Sequence, residues 1–187
     1  MQDTVVDEAR KKLFLMVKEK AFFKEKIILS SGKESDYYID ARRVTLTSEG
    51  AYLTARIMLD MVKEENYDAI GGPTLGADPL IGALGVLKHQ AGNDGNTFII
   101  RKEAKGHGKK KQIEGQDIPK GASVILVDDV ATTGKAFLHS LDVLDENGIE
   151  CKTCLCIVDR QEGAGETLAD RGARLLSIFT GKEFLNT

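Results

Sequence analysis

The run Val124-Ile125-Leu126-Val127 contains no polar break. Such a run suits a strand buried on both faces, as at the centre of a parallel sheet. Asp128-Asp129 follow without a spacer, then Val130-Ala131, the hydroxyl-rich turn Thr132-Thr133-Gly134, and a helix-like segment opening at Lys135-Ala136. In an open α/β sheet, ligands bind beyond the carboxyl ends of the strands, and residues 128–135 would lie there. Backbone N–H groups and hydroxyls of such a turn can wrap an anion at the N-terminus of the next helix. Paired acids repel a bare phosphate, so they suit sugar hydroxyls or a metal-bound ligand. A ribose beside a phosphate is the ligand this chemistry implies; the plain alternative is a strand ending in an ordinary polar turn.

The remaining composition narrows the class. A chain of 187 residues can bury a substantial core in one domain. A net charge of −3 gives no general pull toward nucleic acid, and no apolar run approaches the roughly 20 residues that span a bilayer. Met1-Gln2-Asp3-Thr4 lacks the features of a signal peptide, so a cytoplasmic location is expected. Cys151, Cys154 and Cys156 form a Cys-x-x-Cys-x-Cys cluster with no second pair. They read as small apolar residues of a buried strand rather than as a metal or redox centre.

Helical spacing of Val6, Ala9, Leu13 and Met16/Val17 predicts a helix over 4–20. Short strands are expected at 26–29 and 37–39, joined by a turn over 30–35. Tyr37-Tyr38 reads either as a flat platform for a planar ligand or as ordinary strand aromatics. Ser48 is expected to cap a helix running to about Glu65. A strand at 68–72 leads through the glycine-rich turn 72–79 into a helix over 80–89, a geometry that lets backbone N–H groups approach an anion. Neither the dinucleotide fingerprint nor a P-loop occurs. A strand at 97–100 precedes a polar stretch whose residues 101–111 hold six cations against the single acid Glu103. Such a stretch is either a solvated charge run or a lid that closes on a polyanion. Further strands are expected at 151–158 and 175–179, with helices from Ala136 to Gly148 and near 166–171. Strand–helix alternation from residue 68 predicts an α/β fold, a central parallel sheet flanked by helices. One domain, 1–187, would comprise an N-terminal hood (1–45) and an α/β core (46–187) carrying a lid loop (101–117).

The segment 124–136 resembles the 5-phosphoribosyl-1-diphosphate (PRPP) motif of the phosphoribosyltransferases. Arg101-Lys102-Glu103-Ala104-Lys105-Gly106-His107-Gly108 is similar to the signature loop of the orotate phosphoribosyltransferase family. So are Ser31-Gly32-Lys33-Glu34-Ser35-Asp36-Tyr37-Tyr38-Ile39-Asp40 and Asp159-Arg160-Gln161-Glu162. The four segments keep the family's order and extend over roughly residues 20–180. The resemblance implies the type I phosphoribosyltransferase fold, a reaction of orotate with PRPP in pyrimidine (UMP) biosynthesis, and Mg²⁺ bound mainly through PRPP. It also implies a homodimer with sites shared across the interface, and no nucleic-acid or membrane partner.

Residue by residue, the resemblance implies that Asp128 and Asp129 hold the ribose hydroxyls. Ala131, Thr132, Thr133, Gly134 and Lys135 would cradle the 5-phosphate, with Val130 and Ala136 also counted among the substrate-binding residues. Thr132 and Arg160 would face orotate, whose carboxylate suits a guanidinium, with Tyr38 and Ile39 bordering the base. Arg101, Lys105 and His107 would reach the pyrophosphate from the neighbouring subunit and Lys102 within its own. Lys105 is expected to have the largest catalytic effect, with Asp128 and Asp129 as its companions. The sequence departs from some members at Leu75-Gly76, where they carry an aromatic-Lys pair, and at Ser30, where they carry a lysine. Those departures shift the diphosphate contacts toward Mg²⁺ and the lid. Lys135 stands where a small or hydroxyl residue is frequent and would add charge near the 5-phosphate. A purine transferase and a PRPP-sensing, nucleic-acid-binding regulator are the competing readings; the lid motif argues against the first and the intact acids against the second.

Overall fold

The computed structural model describes residues 2–28, 34–93, 95–103 and 111–186. Helix α1 (Gln2–Lys20) buries Leu13 and Val17, as its spacing predicted. Four two-residue strands follow: β1 (Phe22–Phe23), β2 (Ile27–Ile28), β3 (Glu34–Ser35) and β4 (Tyr38–Ile39). The expected strands at 26–29 and 37–39 are present but shorter, and each pairs with a strand the sequence did not announce. The pairs nest: β2 lies antiparallel to β3, and β1 to β4. Ser35, read as turn, is therefore a strand residue.

A single turn of helix, α2 (Arg42–Thr45), precedes α3 (Ser48–Met61). The cap of α3 is Thr47, one residue before the expected Ser48: its Oγ1 accepts a bond from Gly50 N at 3.1 Å. The helix ends at Met61 rather than Glu65. Thr47→Ala leaves that first-turn N–H unpaired and is expected to cost about 1 kcal/mol. In a chain of this size that is a Tm drop of about 2–4 °C, readable by calorimetry.

The core then alternates: β5 (Ala69–Pro73), α4 (Asp78–Gln90), β6 (Asn96–Ile100), β7 (Ile113–Gly115), β8 (Ser123–Ala131), α5 (Lys135–Glu146), β9 (Glu150–Asp159), α6 (Ala164–Ala169), β10 (Arg174–Thr180) and α7 (Gly181–Leu185). Six strands make one sheet in the order β10-β9-β8-β5-β6-β7, parallel except for the last pair. Edge strand β7 lies inside the stretch expected to be lid, 101–117. Ile113 pairs with Ile100, so the loop loses its C-terminal third to the sheet.

Successive β8 residues face opposite layers. Ile125 and Val127 pack with α1, α3 and α4, while Val124 and Leu126 pack with α5 and α6. Leu155 and Ile157 of β9 join the first layer, Cys154 and Cys156 the second, so these cysteines are core side chains. Phe184 on α7 stacks on Phe14 at 4.7 Å and Phe22 at 5.7 Å, and meets Phe179 edge-on at 5.6 Å. That aromatic cluster fastens the hood to the end of the sheet.

Candidate active site

Chain order around β8 sets where a ligand can enter. From β5 the chain crosses to β6 on one side; from β8 it crosses to β9 on the other. The crevice beyond the carboxyl ends of β5 and β8 is thus a topological switch point. β5 pairs with β8 only as far as Gly71↔Leu126, whereas β9 follows β8 through Ala131↔Asp159. Strand β8 therefore runs four residues beyond the expected end at Val127. Asp128 to Ala131 are strand residues flanked by a neighbour on one side and by open space on the other.

That space is a cavity of about 460 Å³. Asp128, Asp129, Val130, Thr132, Ala136 and Arg160 border it from the core, as do Pro73 to Gly76 from the glycine-rich turn. The hood contributes Ile27, Tyr38, Ile39, Asp40 and Arg42, and Lys102 stands at the rim. Gly76 is required by close approach: a Cβ there would sit 2.6 Å from Oδ1 of both Asp128 and Asp129. A second cavity of about 130 Å³ adjoins the first and is bounded by Val130 to Phe137 together with Asp128. Gly134, at φ +80°, turns the chain into α5 without a side-chain cap. The first N–H groups of that helix are left to meet an anion.

The two acids are held by the backbone. Asp128 Oδ1 accepts from Asp129 N at 2.9 Å, and Asp129 Oδ1 from Val130 N at 2.7 Å. Burial pushes the Asp128 carboxyl well above the ordinary range, and the neighbouring Asp129 charge adds to the rise; Lys102 opposes it. Burial also raises Asp129, against the Val130 N–H and Arg42. A pair held this way is ready for hydrogen-bond donors and positive charge.

Arg160 is 6% exposed. Its Nε donates to Glu162 at 2.8 Å, its Nη2 to Ser35 Oγ at 2.7 Å, and its guanidinium lies 4.2 Å over the Tyr37 ring. Besides bordering the cavity, it ties hood to sheet. Tyr37 is packed between Arg160 and Phe22, the ordinary role for a strand aromatic, and Tyr38 is the tyrosine that borders the cavity. Arg101, expected at the pyrophosphate of a neighbouring subunit, does not border the cavity of its own chain. Its Nη1 lies 3.6 Å from Glu114 Oε1 on β7. Thr133 and Lys135 border the smaller cavity only. Lys105, His107 and Ser30 lie outside the described residues. Sequence reading missed Arg42: it follows an apolar strand in a helix of a single turn, and only the charge pair Asp40-x-Arg42 could have drawn notice.

Among the described residues, no helix is long and apolar enough to cross a membrane. The family model described as phosphoribosyl transferase domain matches residues 51–174. An orotate phosphoribosyltransferase of Corynebacterium glutamicum is 43% identical over 92% of this chain and 91% of its own. The crystal structure of the Mycobacterium tuberculosis orotate phosphoribosyltransferase with Fe(III) dicitrate superposes with a TM-score of 0.81 at 34% identity, covering 94% of this chain and 98% of that one. A crystal structure of the same enzyme in complex with PRPP gives 0.77 at 31% identity, with the same coverage. With the switch-point crevice, the acid pair and the helix-capped cup already in place, these likenesses settle the lineage: the chain belongs to the orotate phosphoribosyltransferase family.

Proposed function

We propose that this chain transfers the 5-phosphoribosyl group of PRPP to orotate, giving orotidine 5′-monophosphate and pyrophosphate in pyrimidine biosynthesis. The observation that carries the reading is the buried acid pair standing between a phosphate-sized cup and a larger cavity roofed by the hood. One ligand with a phosphate, a sugar diol and a leaving group fills that order of sites. The 5-phosphate takes the cup formed by Val130 to Ala136, with Lys135 adding charge. The ribose hydroxyls donate to Asp128 and Asp129. The diphosphate extends toward the Pro73–Gly76 turn, where the N–H groups of Leu75 and Gly76 have no partner among the described residues. Orotate takes the hood side, between Tyr38, Ile39, Thr132 and Arg160.

In the reaction the bond from C1 of the ribose to the diphosphate oxygen breaks, and its electron pair leaves with pyrophosphate. The ring nitrogen of orotate supplies the pair for the new carbon–nitrogen bond and gives up its proton to solvent or to the departing pyrophosphate, so no enzyme nucleophile is needed. The chain's own work is to hold the sugar, stabilise departing charge and keep water from the cation-like carbon. Mg²⁺ fits this setting: it is a hard cation that takes oxygen ligands, it would be held mainly by the oxygens of PRPP, and the nearby carboxylates suit its charge. When bound it offsets diphosphate charge.

The single domain 1–187, with hood 1–45 and core 46–187, is part of the same reading. The lid, shortened by β7 to 101–112, brings Arg101, Lys105 and His107 to the neighbouring subunit of a homodimer. Its highly charged substrates do not cross membranes, which favours a cytoplasmic site of action. Mixing the purified protein with orotate, PRPP and Mg²⁺ tests the assignment. Orotate absorbance is expected to fall, while hypoxanthine and adenine give no turnover; an unchanged orotate signal overturns it.

A further inference from the structure

Three cations among the described residues border the main cavity: Lys102, Arg160 and Arg42. Arg160 is buried, most of its guanidinium hydrogens go to Glu162, Ser35 and the Tyr37 carbonyl, and it stands on the side of the cavity given to orotate. Arg42 is in a different state. Its Nε donates to Asp40 Oδ1 at 3.2 Å, which fixes the plane of the guanidinium. Its Nη1 and Nη2 make no hydrogen bond to any described residue, and the side chain keeps 42% of its exposure. It is close enough to Asp129 for the two charges to influence each other. A Cβ on Gly76 would meet the same Asp129 carboxyl, so the turn also comes close to it. Arg42 and the Leu75-Gly76 turn are therefore both close to Asp129, and they border the main cavity but not the smaller phosphate cup.

A guanidinium anchored through Nε and open at both terminal nitrogens is arranged to grip two oxygens of one phosphate. The turn itself has no cationic side chain, since Leu75 and Gly76 supply only N–H groups. We infer that Arg42 binds the diphosphate of PRPP, an assignment that rests on the phosphoribosyl transfer proposed above. Asp40 is its positioning partner. The reach of the hood into the core thus supplies positive charge that the 73–76 turn does not.

Steady-state kinetics and calorimetric titration of PRPP with Mg²⁺ on the full-length protein test this with Arg42→Gln and Arg42→Lys. Losing a charge-assisted pair of bonds is expected to raise the KM and Kd for PRPP about 10- to 100-fold and to weaken inhibition by pyrophosphate in parallel. The KM for orotate should stay within about twofold. Arg42→Lys keeps the charge but not the fork and should fall between. Unchanged PRPP and pyrophosphate constants overturn the assignment, as does an equal rise in both substrates' KM, which would signal a displaced hood. If the wild type binds PRPP but does not consume orotate, the transfer reading fails while the titration still decides Arg42. If it binds no PRPP, both fail.

Discussion

Asp128→Asn is expected to lower kcat/KM for PRPP about 10²–10³-fold while making the ligand-free protein more resistant to heat at neutral pH. The two effects share one cause. Asp128 is 8% exposed and its carboxyl is raised well above its ordinary range by burial and by Asp129. A carboxyl with a higher pKa in the folded than in the unfolded chain favours folding when protonated. That contribution is complete below the unfolded pKa, near 3.8, and is lost as pH rises through the raised folded value. At neutral pH, above the unfolded value, this carboxyl therefore works against the stability of the native protein. Asparagine removes the ionisable group yet keeps an oxygen that can accept from Asp129 N, now at 2.9 Å. The Tm should rise by a few degrees at pH 7 to 8 and show no gain near pH 3.5. Activity goes the other way, because the amide cannot accept charge-assisted bonds from a sugar diol. Scanning calorimetry across pH, beside initial rates, separates this from simple damage; a variant both inactive and less stable at pH 8 would count against it.

The parts of this site that could be read in advance are those encoded by neighbours in sequence. Val124 to Val127 announce a strand covered on both faces, and the turn after the acids announces a helix start, because each signal occupies a few consecutive residues. The continuation of β8 through Asp128 to Ala131 was not legible, since it depends on β9, some thirty residues on, supplying pairing partners as far as Asp159. Strand β7 is three residues long and its Ile113-Glu114-Gly115 has no period to detect; Ile100 and Phe98 recruit it. The nested pairing of the hood was hidden for a similar reason: packing of Phe22 against Phe184, not any turn rule, decides which short strand lies beside which. Arg160 could be foreseen as a cavity residue, but its bonds to Ser35 and Tyr37 cross more than a hundred residues. Arg101 was expected, on the family resemblance, at the pyrophosphate of a neighbouring subunit, a position that its own chain does not show. Its observed neighbour is Glu114, which only the folding of β7 brings near.

Lys105→Ala is expected to reduce kcat by about 10²–10³-fold with little change in the KM for orotate, the loss typical of removing one group that meets charge developing in the transition state. The root of its loop is well defined even though Lys105 itself lies outside the described residues. Arg101 N donates to Gln112 O at 2.9 Å, and Gln112 Nε2 to Arg101 O at 3.3 Å, so the two ends of the basic stretch are clamped together. Lys102, one step beyond that clamp, borders the cavity. Two arrangements remain to be told apart, a lid serving its own site or a neighbouring one, and resemblance to the family favours the neighbour. Mixing Lys105→Ala with Asp129→Asn subunits, each inactive alone, distinguishes the two arrangements. If the lid acts across a dimer, a mixed dimer owns one site with both Asp129 and Lys105 intact, and an equimolar, freely reassociating mixture recovers about a quarter of wild-type activity. A mixture as inactive as its parents, in a protein shown to exchange subunits, would confine the lid to its own chain; a fully active Lys105→Ala would remove the lid from the chemistry altogether.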